Sequence, residues 1–288
     1  MEKTSLLGVF LHIYNMKEIV LELLFTLTVG AASGIHKDGN HVYIVSDNSG
    51  YIYHYGIDSK QVDKWALYEN AQEITPKKEK KDFESVTAKD GKLYVLGSGS
   101  KAKRQTCYVF DPRTNESEPV SLAPLYYKLS MIGEVGKDLN IEGVIHHKNE
   151  FLLFQRGNGA SARNGIFRIK ADDLASATDI TFTEVKLPKI DKGQAAFTDA
   201  VLVKDKIYFL AAAEGTKSTY DDGVIYGTML GVLDPKTFKV EQTTIIGKGK
   251  YEGIALFEDR KDKIEFLVCE DNDKNESEAG VYRLTLRK

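Results

Sequence analysis

Three glutamates occupy matching positions in three phrases of similar build: DFESVTAK at 82–89, NIEGVIHH at 140–147 and KYEGIALF at 250–257. In each, the acid follows one apolar residue and heads a largely apolar run. Two further phrases put a hydroxyl at the same place, Ser33 in ASGI and Thr198 in FTDAVLV. Ser33, Glu84, Glu142, Thr198 and Glu252 therefore share one register, at intervals of 51, 58, 56 and 54 residues. Three carboxylates brought to one place cannot all stay ionised without a partner, so such a site would hold either protons or a cation. Carboxylate and hydroxyl oxygens are hard donors. They suit Ca2+, which takes six to eight oxygens at about 2.3–2.6 Å. No soft ligand belongs to the set, which argues against zinc or copper. The plainer alternative is that each glutamate caps a strand end or pairs with a lysine; recurrence at one register of one repeat favours a shared site.

The repeat also shows what must position these residues. Each unit has an apolar first run, a short polar turn (KDG, KDG, KN, KD, DRKD) and a second run rich in Tyr, Phe, Val, Leu and Ile. A polar, Gly-rich loop follows, then a third strand such as CYVFDPRT or GIFRIKAD, and in four units a fourth, such as VEQTTIIG at 240–247. Alternating β-branched and aromatic runs bounded by Gly and Asp read as antiparallel strands. Four strands per unit at this period predict an all-β, five-bladed β-propeller, with six blades as the alternative. A helical pattern competes only around 122–134. The fifth unit stops after three strands. The run EIVLELLFTLTV at 18–29 is expected to supply its outer strand, closing the ring and covering a sheet edge.

In such a ring the first strand of each blade lines the central channel, and its N-terminal end lies on one face. The loops joining second and third strands lie on the same face. The five register residues should therefore ring the channel mouth beneath SDNSG, GSGSKAKRQ, QRGNGASARN, AAEGTKSTYDDG and CEDNDKNESEAG. A phosphate drawn to a cation there would want basic donors. Arg156, Arg163, Lys101, Arg104 and Lys217 lie in these loops, with Arg156 the foremost candidate because it follows a second strand directly. Its plain alternative is an ion pair between blades. Asp47, Glu214 and Asp271 end second strands and are candidate general bases, or turn residues. Asp221 and Asp222 in TYDDG could hold a second cation or make a tight turn. His36, His146 and His147 fall toward the far ends of inner strands, as packing or surface residues. Trp65 belongs to an outer strand and should pack between blades.

Bulk properties bound the partners. The chain has 288 residues, 42% hydrophobic and 28% charged, with a formal net charge of −3. This is the composition of a soluble globular protein and offers no electrostatic case for nucleic acid or an anionic membrane. The basic run KKEKK at 77–81 reads as a solvated loop. Cys107 and Cys269 are far apart and read as buried thiols. LLGVFLHIY at 6–14 is too short to span a bilayer and lacks a cleavage site. Residues 1–15 are expected to be an extension preceding a single propeller at 16–288, in a cytoplasmic monomer where the NES sequons at Asn115 and Asn275 carry no weight.

The phrases ASGI with VYIVSDNSGYIY, FESV with KLYVLGSGS, NIEG and KYEGIALF resemble those of the five-bladed calcium-activated soluble apyrases, which hydrolyse nucleoside di- and triphosphates. The resemblance spans all five units, with identity confined to strand heads. It implies one Ca2+ in the channel, held at Ser33, Glu84, Glu142 and Glu252, with Thr198 standing where that family has Ser. FES, LGSGS, NIEG, QRGN and AAAE are more closely similar to a bacterial propeller family with no assigned activity. A weaker likeness is to the esterase-like phytase propellers. Three functional expectations follow. The first is a Ca2+-dependent phosphohydrolase or phosphoesterase acting on a small phosphorylated substrate. The second is a non-catalytic module, riveted by Ca2+, that binds a ligand or protein on its top face. The third is an esterase or lactonase, although no GxSxG elbow occurs. GSGS in LGSGS opens no helix and makes a poor dinucleotide site.

Overall fold

The structure, a computed structural model, describes residues 19–215, 223–272 and 278–288. Residues 1–15, Lys217, Asp221, Asp222 and Asn275 lie outside the described residues. Strand β1 (Ile19–Leu27) precedes four complete blades and three strands of a fifth. The first blade is β2 (Ala32–Asp38), β3 (His41–Ser46), β4 (Tyr51–Gly56) and β5 (Val62–Ala66). The second is β6 (Phe83–Lys89), β7 (Lys92–Gly97), β8 (Thr106–Asp111) and β9 (Glu116–Ser121). Helix α1 (Ala123–Ile132) then leads to the third blade, β10 (Ile141–His147), β11 (Glu150–Gln155), β12 (Gly165–Lys170) and β13 (Asp179–Glu184). A two-residue β14 (Lys189–Ile190) joins the edge of the fourth blade, formed by β15 (Gly193–Val203), β16 (Lys206–Glu214), β17 (Ile225–Leu233) and β18 (Val240–Gly247). The last blade is β19 (Lys250–Asp259), β20 (Lys263–Asp271) and β21 (Ala279–Arg287), with β1 as its outer strand.

Inner strands β2, β6, β10, β15 and β19 neighbour one another in turn and return to β2, so the ring closes with five blades, not six. Its seal is the antiparallel pair β1–β21, from Ile19 opposite Leu286 to Leu27 opposite Ala279. Burial follows position. The first residues of inner strands are buried on both faces, whereas outer strands such as β9 and β13 are exposed or half-exposed throughout. The core lies between adjacent blades. Phe197 meets Phe154 and Phe209 edge-on at 5.2 and 5.1 Å, and Trp65 on β5 reaches Phe110 of the next blade at 5.7 Å. Such aromatic pairs add about 0.5–1.5 kcal/mol each beyond the area they bury. Cys107 and Cys269 are free and buried. His146 stands next to the last residue of β10, where it packs on Phe151 at 4.6 Å. No described helix is long and apolar enough to cross a membrane.

Helix α1 is where the helical pattern around 122–134 falls. It buries Leu125, Tyr126 and Leu129 and leaves Tyr127 and Met131 exposed. It follows an outer strand and precedes the head of an inner strand, so it lies on the channel-mouth face.

Candidate functional site

A β-bulge recurs at the head of every inner strand. The pairing ladder skips one residue between Ala32 and Gly34, Phe83 and Ser85, Ile141 and Gly143, Phe197 and Asp199, and Tyr251 and Gly253. The five skipped residues are Ser33, Glu84, Glu142, Thr198 and Glu252. A bulge frees one side chain from the alternation of the strand and re-aims it, so the shared register has a backbone cause. The glycine after the head in the EG and SG phrases has one too. A Cβ at Gly143 would stand 3.0 Å from the Asp199 backbone of the next blade, and one at Gly253 3.0 Å from that of Ile35. At these glycines the neighbouring inner strand leaves no room for a side chain, whereas Ser85 and Asp199 occupy the equivalent places on β6 and β15.

Glu84, Glu142 and Glu252 converge, with carboxylate oxygens within 4.8 Å of one another, and all three are buried. Asp47, Asp82 and Glu84 form a second such group sharing one member. Ser33 and Thr198 spend their hydroxyl protons on the neighbouring blade: Ser33 Oγ donates to the Phe83 carbonyl, and Thr198 Oγ1 to that of Tyr251 at 3.0 Å. Their oxygen lone pairs are not used by those bonds.

Four cations stand among these acids. Arg156 Nη1 lies 3.2 Å from Glu142 Oε2 and 3.1 Å from Glu252 Oε1, and Nη2 bonds Glu214. One guanidinium thus ties together blades three, four and five, the inter-blade ion pair weighed as its plainer role. Lys250 Nζ is 2.6 Å from Asp271, 3.1 Å from Glu252 and 3.5 Å from Glu214. Lys80 bonds Asp47 and lies 3.0 Å from Asp82, which also accepts from Arg104 at 2.6 Å. The expected bases Asp47, Glu214 and Asp271 are therefore all at the channel mouth, each ion-paired. Arg163 is held away by Glu134 and Glu184 on the periphery. Lys101 is exposed.

The balance is uneven. Seven carboxylates (Asp47, Asp82, Glu84, Glu142, Glu214, Glu252 and Asp271) face four cations among the described residues. Glu84 takes the consequence. It is 7% exposed, and its carboxylate forms no hydrogen bond or ion pair with the described residues. Burial, then Glu142, Asp82, Asp47 and Glu252, push its carboxyl well above the usual range. Burial raises Glu142 and Glu252 as well, against the opposing pull of Arg156 and Lys250. Glu214 goes the other way: burial raises it, but Arg156 and Lys250 win and hold it low. Burial lifts Asp47 to about 6 even beside Lys80, and its Oδ1 is buried without a partner. Arg156 Nε is likewise a buried donor without an acceptor. A hard cation could be held by Glu84, Glu142 and Glu252 or by Asp47, Asp82 and Glu84.

Lys80, Asp82, Asn140 and Lys250 were not singled out in the sequence. The signal was present for three of them. Asp82, Asn140 and Lys250 each stand two residues before a register glutamate, and period-two alternation puts them on the same side. Asn140 Nδ2 accordingly donates to Glu142 at 2.5 Å. Lys80 arrives from a loop, and nothing local marks it.

Residues 28–286 match the family of unknown function DUF6929. The chain belongs to that family. No match was found among curated proteins. Among solved structures, this DUF6929 propeller is similar to the Myxococcus xanthus glutaminyl cyclase, with a TM-score of 0.55 and 11% identity over 93% of this chain and 97% of the other. A luciferin-regenerating enzyme (TM-score 0.46, 11% identity, 93% and 95% covered) and a streptogramin B lyase (0.45, 10%, 93% and 98%) are more distant. At these identities the likeness speaks for the fold of the DUF6929 chain alone.

Proposed function

We propose that the channel mouth of this DUF6929 propeller is a hard-cation site suited to Ca2+, and that it serves hydrolysis of a small phosphorylated substrate. The observation that carries the reading is Glu84, a buried carboxylate with no cation of its own, within 4.8 Å of two others. The donor set fits the ion: Glu84, Glu142 and Glu252 would hold it, with Ser33 and Thr198 offering lone pairs. Bound there, the cation would supply Lewis-acid polarisation of a phosphoryl oxygen.

The chain's own residues supply the rest. Arg156 fixes Glu142 and Glu252 in place, and its uncommitted Nε is a donor for a substrate oxygen. Asp47, with a carboxyl near 6 and a free Oδ1, is the group best matched to take a proton from water at neutral pH. Lys80 orients that carboxylate through its other oxygen.

A second reading has its own support. Arg156 and Lys250 are buried and already tie the acids of neighbouring blades together, which suits a module in which Ca2+ would complete that rivet without chemistry. Two measurements separate the readings. Melting in EDTA and in added Ca2+ tests the ion, since specific binding stabilises by mass action. A phosphate-release screen with nucleotides, phytate and sugar phosphates tests the chemistry. Release that needs Ca2+ and is lost in Glu84→Gln and Asp47→Asn supports the hydrolase. A Ca2+-dependent melting shift with no release from any substrate supports the rivet, and absence of any shift removes both.

A further inference from the structure

Beside the acidic mouth, on the same face, lies a cavity of about 330 Å3. Its floor and one wall come from the β7–β8 loop, and the other wall from α1 and the turn after it. Ser100, Lys101, Gln105, Tyr127, Ser130 and Lys137 supply its polar and aromatic lining, and no Asp or Glu is among the described residues that line it. Two ammonium groups and no carboxylate among the described lining residues give the cavity a local charge that suits an anion, against the field of the seven carboxylates beside it. Lysine ammonium groups serve phosphate as point charges. The side chain of Tyr127 is 69% exposed, an aromatic surface with no core to fill. The volume is at the small end of ligand pockets, room for one ring and one charged group.

The cavity is wired to the mouth. Ser100 Oγ meets Ser98 Oγ at 2.9 Å and accepts from Arg104 Nη1 at 2.9 Å; Arg104 and Ser98 both bond Asp82, a member of the acid cluster. We propose that this cavity binds a small phosphorylated molecule carrying one ring, its phosphate near Lys101 and Lys137 and its ring against Tyr127. The inference goes beyond the hydrolase reading, since a molecule with its phosphate at Lys101 and Lys137 does not place it among the acids of the mouth, and its binding requires no metal.

The test is therefore calorimetric titration of the whole chain in EDTA with p-nitrophenyl phosphate, p-nitrophenol and inorganic phosphate. Saturable binding of p-nitrophenyl phosphate is expected, with p-nitrophenol at least about tenfold weaker. The double variant Lys101→Ala/Lys137→Ala should weaken p-nitrophenyl phosphate about tenfold or more, and Tyr127→Ala should weaken it severalfold while leaving inorganic phosphate unchanged. All three positions are exposed, and single Lys101→Gln and Lys137→Gln variants give the same ordering if the double variant is unstable. Glu84→Gln should bind normally. Failure to saturate by about 10 mM, or affinity unchanged in the lysine variants, overturns the inference. Loss of Ca2+ stabilisation with cavity binding intact would instead overturn the reading of the mouth and leave the cavity standing.

Discussion

The channel mouth and the cavity beside α1 share one face of the ring, and Ser98, Ser100, Arg104 and Asp82 bond one to the other. Yet they handle charge in opposite ways. At the mouth, charges are buried and nearly all committed to one another across blades, so their removal is a structural event. At the cavity, two lysines stand at the surface, and no acid is among the described residues of the wall. The contrast shows how one face can join a rigid, charge-filled axis to a replaceable recognition surface. The axis is bound by ring closure, and the cavity only by a loop and one helix.

The strongest way to break this contrast is at Arg156. Arg156→Met leaves Glu142, Glu214 and Glu252 short of their shared guanidinium, and removing one partner from a buried ion pair costs about 3–5 kcal/mol. Urea unfolding should show that loss in EDTA; an unchanged midpoint would mean that the cluster is not the ring's clasp.

Acid sharpens it next. Asp47, Glu84 and Glu252 have folded-state carboxyls above their unfolded values, so the folded chain binds more protons. Their stabilising contribution is full below the unfolded carboxylate range, about 4, and is lost as pH rises through the folded values. In EDTA, stability should fall by about 1.3 kcal/mol between pH 5 and pH 7 on Asp47's account. Added Ca2+ must displace those protons, so the melting shift it produces should be larger at pH 7.5 than at pH 5.5.

A smaller effect of opposite sign is expected at Glu84. Glu84→Gln removes a buried acid that has no partner and whose ionisation folding opposes, and should stabilise the metal-free chain by about 1 kcal/mol at neutral pH while abolishing the Ca2+ shift. Thermal melting with and without EDTA reads both. The smallest effect belongs to the cavity: Lys137→Ala should alter stability by less than about 0.5 kcal/mol, since its side chain is exposed.

The ring was legible because its signals are local and repeated. Blade number, strand order and the five register positions all follow from alternation and a period near 55 residues, and even the bulge leaves a trace in the EG phrases. The charge network was legible only in part. Arg156 and Glu252 are 96 residues apart and meet through ring closure, which no window of sequence contains. Lys80 was hidden for the same reason, inside a run that reads as a solvated loop. Asp82 and Lys250 were visible in alternation but masked by the more conspicuous glutamates two residues on.

The seam between β1 and β21 has a consequence for synthesis. Of the ring's strands, the one synthesised first must wait, unpaired, for the one synthesised last. Four blades can fold as the chain grows, but the fifth is withheld until β21 has been made, so the pairing of β21 with β1 is the event that locks the circle.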